Sequence, residues 1–240
     1  MKKYELTTET LQFAGRTLHR IKAVKDFDSV KAGELGGWIE SEENLSQYDN
    51  AWICGEAMAF GNAKILGNAR VFGNAKILGN AHIFGNAKVF DSARVYDDAR
   101  VYDDAIVHNN ARIYDNAIVY DNAIVSDYAE VCENAKVCDD ADVYGLTRIF
   151  GNAKIFGNAT IKGNAKVHDD IDYIVFKNFW SSGRYFTWTR SNNKWSVGCF
   201  YGTGEELIKK AYADSVKSGR EYERVVRYVE SILADEKEKK

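Results

Sequence analysis

The sequence contains no proline in 240 residues. Proline lacks the backbone N–H that a β-ladder uses, so its absence suits a chain in which nearly every N–H joins such a ladder. Cysteine is scarce too, and no two cysteines form a CxxC pair. That spacing indicates neither a zinc site nor a disulfide framework, so we expect no metal and no cofactor. The four cysteines are Cys54, Cys132, Cys138 and Cys199.

Long apolar runs and a strong charge of one sign are also missing. No apolar run reaches the roughly 18 residues that a membrane span needs. The start, MKKYELTTET, lacks the apolar stretch of a signal peptide. The net charge is −3, which creates no global field that would recruit DNA. We therefore expect a cytoplasmic protein with no membrane association and no general nucleic-acid binding.

A six-residue phrase fills the centre of the chain. From Ala51 to Asp170 it repeats in register for 20 copies, most of them of the form A-x-[IV]-x-[GDN]-[ND]. Position one is Ala in 19 copies and Thr147 in the other, and position three is Ile or Val in 19 copies and Ala59 in the other. Positions one and three alternate with two and four, which is strand periodicity. The Gly-Asn or Asp-Asn pair that follows tolerates the positive φ of a tight turn.

Strands this short predict a coil rather than a hairpin meander. If three strands close one coil, residues 18 apart stack at about 4.8 Å. The repeat then forms a prism roughly 32 Å long. Ala points inward where space is tight, and Ile or Val fills the axis.

Two features resemble hexapeptide-repeat proteins. Ile65 with Ala69, and Val71 with Ala75, show the aliphatic-then-small spacing of that family. The phrase AVKDFDSVKAGELGGW (residues 23–38) and the LSQ that begins at Leu45 resemble the entry segment of YdcK-like members. The resemblance implies a left-handed parallel β-helix with three hexapeptides per coil, whose open end the entry segment covers. The predicted fold class is therefore mainly β.

The flanks of the repeat predict two smaller units. Residues 4–26 predict a β-hairpin with its turn at Ala14-Gly15-Arg16, so we assign an N-terminal β cap to residues 1–38 and the β-helix to residues 39–171. Residues 172–240 predict a small C-terminal α+β module. Part of it, WSSGRYFTWTRSNNKWSVGCFYGTGEELI, also resembles a module of phage and prophage hexapeptide-repeat proteins.

Within this module we expect one hairpin and two helices. A turn at Asn192-Asn193 sets Trp188 opposite Val197 and Arg190 opposite Trp195. A capping box at Thr203 opens a helix over about 204–217, Gly219 breaks it, and a second helix covers about 220–235. Four residues on one face of the hairpin are expected in the core: Phe186, Trp188, Val197 and Cys199.

Hexapeptide acyltransferases are the obvious enzymatic analogy, and the resemblance implies a histidine base and an acyl-CoA bound between subunits. Here the repeat extrudes no loop, and His82, His108 and His168 occupy outward positions where other surface residues also occur. A γ-class carbonic anhydrase needs clustered histidines, and the spacing of these three does not supply them. Corner carboxylates could hold Ca²⁺, but Asn replaces Asp freely there, which favours turn geometry. We predict no catalytic residue.

Aromatic and basic residues are mixed densely only in the C-terminal module. Aromatic faces beside Arg suit base stacking and phosphate pairing. The sequence therefore predicts a ligand site there, and a purely structural role remains the alternative. The predicted site residues are Lys177, Arg184, Tyr185, Arg190, Lys194 and Trp195.

Outward positions of the repeat become apolar at mid-prism, which is typical of an interface. We predict a homo-oligomer, with a trimer favoured. The predicted interface residues are Ile106, Tyr114, Ile118, Tyr120 and Ile124.

The preferred interpretation is a non-catalytic binding or scaffold protein of a bacterial or phage-infected cell. It would be an anti-defence protein that sequesters a small anionic, nucleotide-type ligand or blocks a host defence protein. A hexapeptide-class acyltransferase is the alternative, and a structural protein is the second alternative.

Overall fold

The computed structural model describes residues 2–238. At the amino-terminal end, β1 (Tyr4–Phe13) and β2 (Arg16–Ala23) form the predicted antiparallel hairpin. The chain turns at Ala14 and Gly15, whose φ angles are 52° and 75°. Strand β3 (Leu35–Ile39) pairs antiparallel with β2 and parallel with the prism that follows, so the hairpin is joined to the repeat by continuous sheet.

Twenty two-residue strands, β4 to β23, build the prism, and each takes positions two and three of one copy of the phrase. In chain order they are Trp52–Ile53, Met58–Ala59, Lys64–Ile65, Arg70–Val71, Lys76–Ile77, His82–Ile83, Lys88–Val89, Arg94–Val95, Arg100–Val101, Ile106–Val107, Arg112–Ile113, Ile118–Val119, Ile124–Val125, Glu130–Val131, Lys136–Val137, Asp142–Val143, Arg148–Ile149, Lys154–Ile155, Thr160–Ile161 and Lys166–Val167.

The strands form three parallel sheets, one on each face of the prism. Face A holds every third strand from β5 to β23, face B every third strand from β4 to β22, and face C every third strand from β6 to β21. Residues 18 apart lie opposite each other, as Arg94 does with Arg112. Three hexapeptides therefore close one coil, and the parallel β-solenoid predicted from the sequence is confirmed.

The phrase explains the core and the corners. Position-one Ala and position-three side chains are fully buried along the prism, as Ala111 and Ile113 show. Position five adopts positive φ, 69° at Gly61 and 57° at Asp97, which makes the turn. Where Asp stands at this corner, its carboxylate reaches the next coil: Asp121 Oδ2 accepts a hydrogen bond from the Asp139 N–H at 3.2 Å.

Position-four side chains stack into one ladder on each face. Phe72 and Phe90 have ring centroids 4.7 Å apart with planes 2° from parallel, and Tyr96 and Tyr114 follow the same arrangement at 5.0 Å. Cys132 occupies a rung of such a ladder and is fully buried. These ladders cover the outward surface of the sheets with aromatic area.

The two ends of the prism expose opposite backbone groups. Each N–H points toward the following coil, as when Trp52 donates to the Ala69 carbonyl at 3.0 Å. Carbonyl groups are therefore left at the first coil and N–H groups at the last. Buried backbone groups need partners, so the first coil requires donors and the last coil requires acceptors.

The flanking segments supply the groups that each end requires. At the first coil the Lys3 ammonium donates to the Asp49 and Ala51 carbonyls. At the last coil, the Thr160 N–H donates to Thr187 Oγ1 at 2.9 Å. Similar contacts join the Lys154 N–H to Asp170 Oδ1, the Lys166 N–H to Ser191 Oγ and the His168 N–H to Asp172 Oδ2.

The C-terminal module packs a four-stranded antiparallel sheet against two helices. Its strands are β24 (Tyr173–Lys177), β25 (Tyr185–Thr189), β26 (Lys194–Val197) and β27 (Phe200–Gly202). Its helices are α1 (Gly204–Asp214) and α2 (Val216–Glu238). The predicted capping box is present, because Glu206 N–H donates to Thr203 Oγ1 and the Thr203 N–H donates to the Glu206 carboxylate. A second core lies between sheet and helices.

Several predictions for this module were wrong. The hairpin loop covers residues 190–193, so Trp188 lies opposite Trp195 rather than Val197, and Arg190 is a loop residue. Cys199 is exposed because it falls in the turn between β26 and β27. Gly219 lies inside α2; the chain breaks instead at Ser215, which caps α1 in an extended conformation.

Candidate functional site

The residues predicted as a C-terminal ligand site lie at two separate ends of the β25–β26 hairpin. Lys177 pairs with Tyr185 at the start of β25, and its ammonium lies 5.0 Å from that ring centroid. Arg184 directly precedes the same strand and is exposed. Lys194 and Trp195 begin β26 opposite the last two residues of β25, and Trp195 is buried in the core. The structure therefore does not bring the six residues into one site.

Arg190 is held by protein partners. Its guanidinium donates to the Glu236 carboxylate at 2.7 Å and lies 3.8 Å from an Asp172 oxygen. Its ring neighbour is Trp188, whose ring centroid lies 5.9 Å from the guanidinium, rather than Trp195, opposite which the sequence placed it. The hydrogen bond to Glu236 raises the Arg190 pKa further above its usual value. These contacts give the side chain a structural function.

The residues predicted as an interface are distributed over all three faces. Ile106 and Ile124 stack on face B, between Lys88 and Asp142. The remaining three lie elsewhere: Ile118 and Tyr120 on face C and Tyr114 on face A. All five are half-buried.

Face A carries a row of stacked cations that sequence reasoning missed. Lys76, Arg94 and Arg112 lie opposite one another on consecutive coils, and we call these three the basic row. Consecutive rungs are about 4.8 Å apart. Arg112 is 3.5 Å from the Glu130 carboxylate, whereas neither Lys76 nor Arg94 makes an ion pair with any residue of the described range 2–238. The sequence contained this signal, because position-two residues that are 18 apart lie on the same face.

Aromatic and apolar side chains flank the basic row. The N-terminal hairpin brings Phe13 over face A, where the Lys76 ammonium lies 4.8 Å from its ring centroid. Phe60 packs edge-on against Phe13, at 5.7 Å between centroids. With Leu78 and Tyr96 these side chains line a groove of about 320 Å³ along the basic row. The groove thus combines positive charge with ring surfaces.

A second cavity continues the groove along face A. It has a volume of about 420 Å³ and shares Arg94 and Arg112 with the first. Thr147, the one exception to Ala at position one, lines it, and its buried Oγ1 has no hydrogen-bond partner within residues 2–238. Arg148 and Lys166 add two more cations on the same face. Four cations therefore line the cavity against one carboxylate, that of Glu130, and this excess of positive charge suits an anionic group.

The histidines do not converge on this groove. His82 lies on face C between Lys64 and Arg100. His108 stacks on Phe90 in the ladder of face B, at 4.9 Å. His168 Nδ1 lies 2.5 Å from Asp169 Oδ2 at the end of the prism, and this contact raises its pKa. Among residues 2–238, the side chains that line the groove and the adjoining cavity include no histidine.

One group of metal-type ligands occurs among residues 2–238. Asp121, Cys138 and Asp139 place one ligand atom each within 4.8 Å of one another. Asp139 Oδ2 accepts from the Gly157 N–H at 2.8 Å, and Asp121 makes the same contact to the Asp139 N–H. The two carboxylates therefore repeat the coil-to-coil hydrogen bonds of the other corners.

Fold and surface define the chain as a hexapeptide-repeat protein with a parallel β-solenoid. A family model described as "YdcK Beta solenoid repeat" matches residues 93–109 and 111–127. The chain is also similar to the "Uncharacterized acetyltransferase YdcK" of Escherichia coli (strain K12), with 39% identity over 69 residues. That match covers 25% of this chain and 21% of the relative. The predicted resemblance to YdcK-like hexapeptide-repeat proteins is thereby confirmed, although the family model matches the repeat and not the entry segment from which the sequence predicted it.

The limited span of these matches restricts what they transfer. The chain covers about a fifth of the length of the relative that it matches. The family matches lie within the prism, between β11 and β16, and the C-terminal module lies outside them. No helix within residues 2–238 is both long enough and apolar enough to cross a bilayer.

Proposed function

We propose that this protein is a non-catalytic scaffold whose face A binds a small anionic ligand of nucleotide type. The observation that carries the proposal is the pair of cations, Lys76 and Arg94, that have no carboxylate partner and lie in a groove with aromatic walls. The sequence predicted this ligand class in the C-terminal module. The groove on face A fits it better, because the C-terminal cations are divided between two ends of a hairpin.

The chemistry of the groove matches both parts of a nucleotide. Guanidinium groups such as those of Arg94 and Arg112 bind phosphate oxygens through paired N–H donors. Phe13, which the hairpin brings over face A, offers a ring on which a base can stack, worth about 1–3 kcal/mol per base. In the adjoining cavity, Arg148 and Lys166 supply further cations for a second anionic group.

A thermal-shift and calorimetry screen tests this proposal. AMP, ADP, cyclic nucleotides and ADP-ribose are added to the wild type and to two variants. A ligand at a hundredfold excess over Kd that binds only the folded protein stabilises it by about 2.7 kcal/mol. We expect a Lys76→Ala/Arg94→Ala double variant to lose the shift. Arg100→Ala, at the same repeat position on face C, should keep it. Equal binding by all three proteins would refute the location of the ligand site on face A.

An acyltransferase is the second candidate, favoured by the name of the E. coli relative. Acyl-CoA also carries an adenine ring and phosphates, so it would suit the same groove. A transferase additionally needs a base within reach of the reacting group. Incubation with acetyl-CoA and candidate amines, followed by thiol detection, separates the two. Enzyme-dependent release of free CoA, together with a shift by acetyl-CoA but not by nucleotides, would favour the transferase.

The finer biological function follows from the ligand. A phage-encoded, cytoplasmic anti-defence protein that sequesters a nucleotide signal, or that blocks a host defence protein, would need only binding. Protection of infected cells by the wild type and its loss in the Lys76→Ala/Arg94→Ala variant would support sequestration. Protection that survives this double variant would favour a protein target.

We also propose self-association through the apolar stretch of face B, with a trimer favoured. Ile106 and Ile124 are stacked and half-buried there, so a partner would cover them at little cost in polar desolvation. Light scattering after size exclusion measures the mass. An Ile106→Lys/Ile124→Lys variant should dissociate, whereas Lys88→Ala on the same face should not. A monomeric wild type would refute the proposal.

A further inference from the structure

A second cleft lies where the prism meets the C-terminal module. It has a volume of about 820 Å³ and opens between the corner that follows face C and strands β24 and β25. Its apolar wall is aromatic and comes from both units: Phe156 from the prism, and Tyr173 and Tyr185 from the sheet. Phe156 and Tyr173 meet edge-on at 6.3 Å. The cleft exists only because the C-terminal module docks on the last coil.

The polar wall of this cleft is formed by carboxylates that have neutral partners. Asp121 and Asp139 accept from backbone N–H groups of the next coil. Asp170 accepts from the Lys154 N–H at 2.7 Å. The fourth carboxylate, Asp140, accepts 3.1 Å hydrogen bonds from two Asn side chains. All these donors are neutral, so none of them offsets the negative charge of the carboxylates.

Cations of the protein compensate this charge only in part. No ion pair in residues 2–238 involves any of the four carboxylates. Two ammonium groups lie over the aromatic wall instead, Lys154 at 5.5 Å from the Phe156 centroid and Lys177 at 5.0 Å from the Tyr185 centroid. Four carboxylates against two ammonium groups leave the cleft negative. The sign is opposite to that of the basic row on face A.

We propose that this cleft binds a linear aliphatic polyamine. Asp121 and Asp139 lie on consecutive coils, about 4.8 Å apart along the prism axis, which is a separation that two ammonium groups joined by a short alkyl spacer can match. The methylene groups of such a ligand pack on the Tyr173 ring, while Lys154 and Lys177 keep their places at Phe156 and Tyr185. A bare divalent ion would use the carboxylates alone and would gain nothing from the apolar surface of Tyr173.

The corner geometry supplies a matched control for this proposal. Asp103 and Asp104 occupy the same two corner positions as Asp139 and Asp140, two coils earlier and outside the cleft. Asp103 and Asp139 share nearly the same φ, 56° and 57°. Replacing either pair by Asn preserves the size and an acceptor oxygen and removes the same charge from the chain.

Calorimetric titration with spermidine at constant ionic strength is the test. We expect the Asp139→Asn/Asp140→Asn variant to bind spermidine at least about tenfold more weakly than the wild type. The Asp103→Asn/Asp104→Asn control should bind like the wild type. Tyr185→Leu, at the partly exposed rim, should also weaken binding, and it keeps the test valid if the double variant is unstable.

Three results would overturn the proposal. Equal weakening in the cleft and control variants would indicate a general charge effect. Complete displacement of spermidine by Mg²⁺ at matched ionic strength would indicate a simple counterion site. Absence of heat at millimolar spermidine would exclude the site. None of these outcomes bears on nucleotide binding at face A, so the two proposals fail independently.

Discussion

Lys3 closes the amino-terminal end of the prism with a buried ammonium group. Its side chain is 1% exposed, and Nζ donates to the Asp49 carbonyl at 2.8 Å and to the Ala51 carbonyl at 2.7 Å. Burial lowers the pKa of Lys3 from 10.5 to about 8, although Asp49 nearby favours the charged form. We predict that this residue makes the stability of the protein depend on pH in the alkaline range.

The sign and size follow from the pKa in the two states. Below about pH 8 the lysine is protonated in both states, so it adds no pH dependence. Between pH 8 and 10.5 the unfolded chain holds a proton that the folded protein has released, so the free energy of unfolding rises with pH. The difference between the two pKa values corresponds to about 3 kcal/mol, gained at about 1.4 kcal/mol per pH unit.

Urea unfolding followed by far-UV circular dichroism measures the effect. Lys3→Met removes the titrating group but leaves two carbonyls without a donor, which costs about 1–3 kcal/mol each. At neutral pH this loss of stability is partly offset, because Lys3→Met also removes the cost of burying a charged ammonium group. Lys2→Met, at an exposed neighbour that pairs with Glu42, is the control. We expect the stability difference between wild type and Lys3→Met to grow by about 3 kcal/mol from pH 8 to 10.5. A difference that stays constant with pH, or that Lys2→Met reproduces, would contradict the burial argument.

Three further predictions test the solenoid itself. Deleting residues 67–84 removes one coil and keeps each strand on its face, whereas deleting residues 73–78 moves every later strand to the next face. Light scattering and ligand titration should show that the larger deletion disturbs the oligomer and ligand binding less than the smaller one does. Gly157 and Gly163 both have positive φ, but only a methyl group added at Gly163 meets a ring of the C-terminal module, that of Tyr201. In chemical denaturation, Gly163→Ala should therefore lower stability by about 1–3 kcal/mol more than Gly157→Ala. Thr187→Val keeps the shape but leaves an N–H of the last coil without an acceptor, so it should cost about 1–3 kcal/mol by the same assay.

The candidate sites show the limit of sequence reasoning. The basic row was readable in principle, since Lys76, Arg94 and Arg112 are 18 apart and position two points outward. The contribution of Phe13 was not, because nothing in the sequence says where the tip of a hairpin lies on the prism. The division of the C-terminal cations was not readable for a related reason, because residues close together in the sequence lie at opposite ends of the β25–β26 hairpin.

The architecture of the repeat is a local property, and the sequence alone determined it. An aliphatic residue at every sixth position, a small residue at the corner and a turn pair that accepts positive φ impose the same geometry on each copy, so the period fixes the coil. The clefts are not local. The wall of the groove on face A, and the meeting of Asp121 with Tyr185, join residues far apart in the chain. They depend on how the two caps satisfy carbonyl groups at one end and N–H groups at the other, and only the tertiary structure decides that.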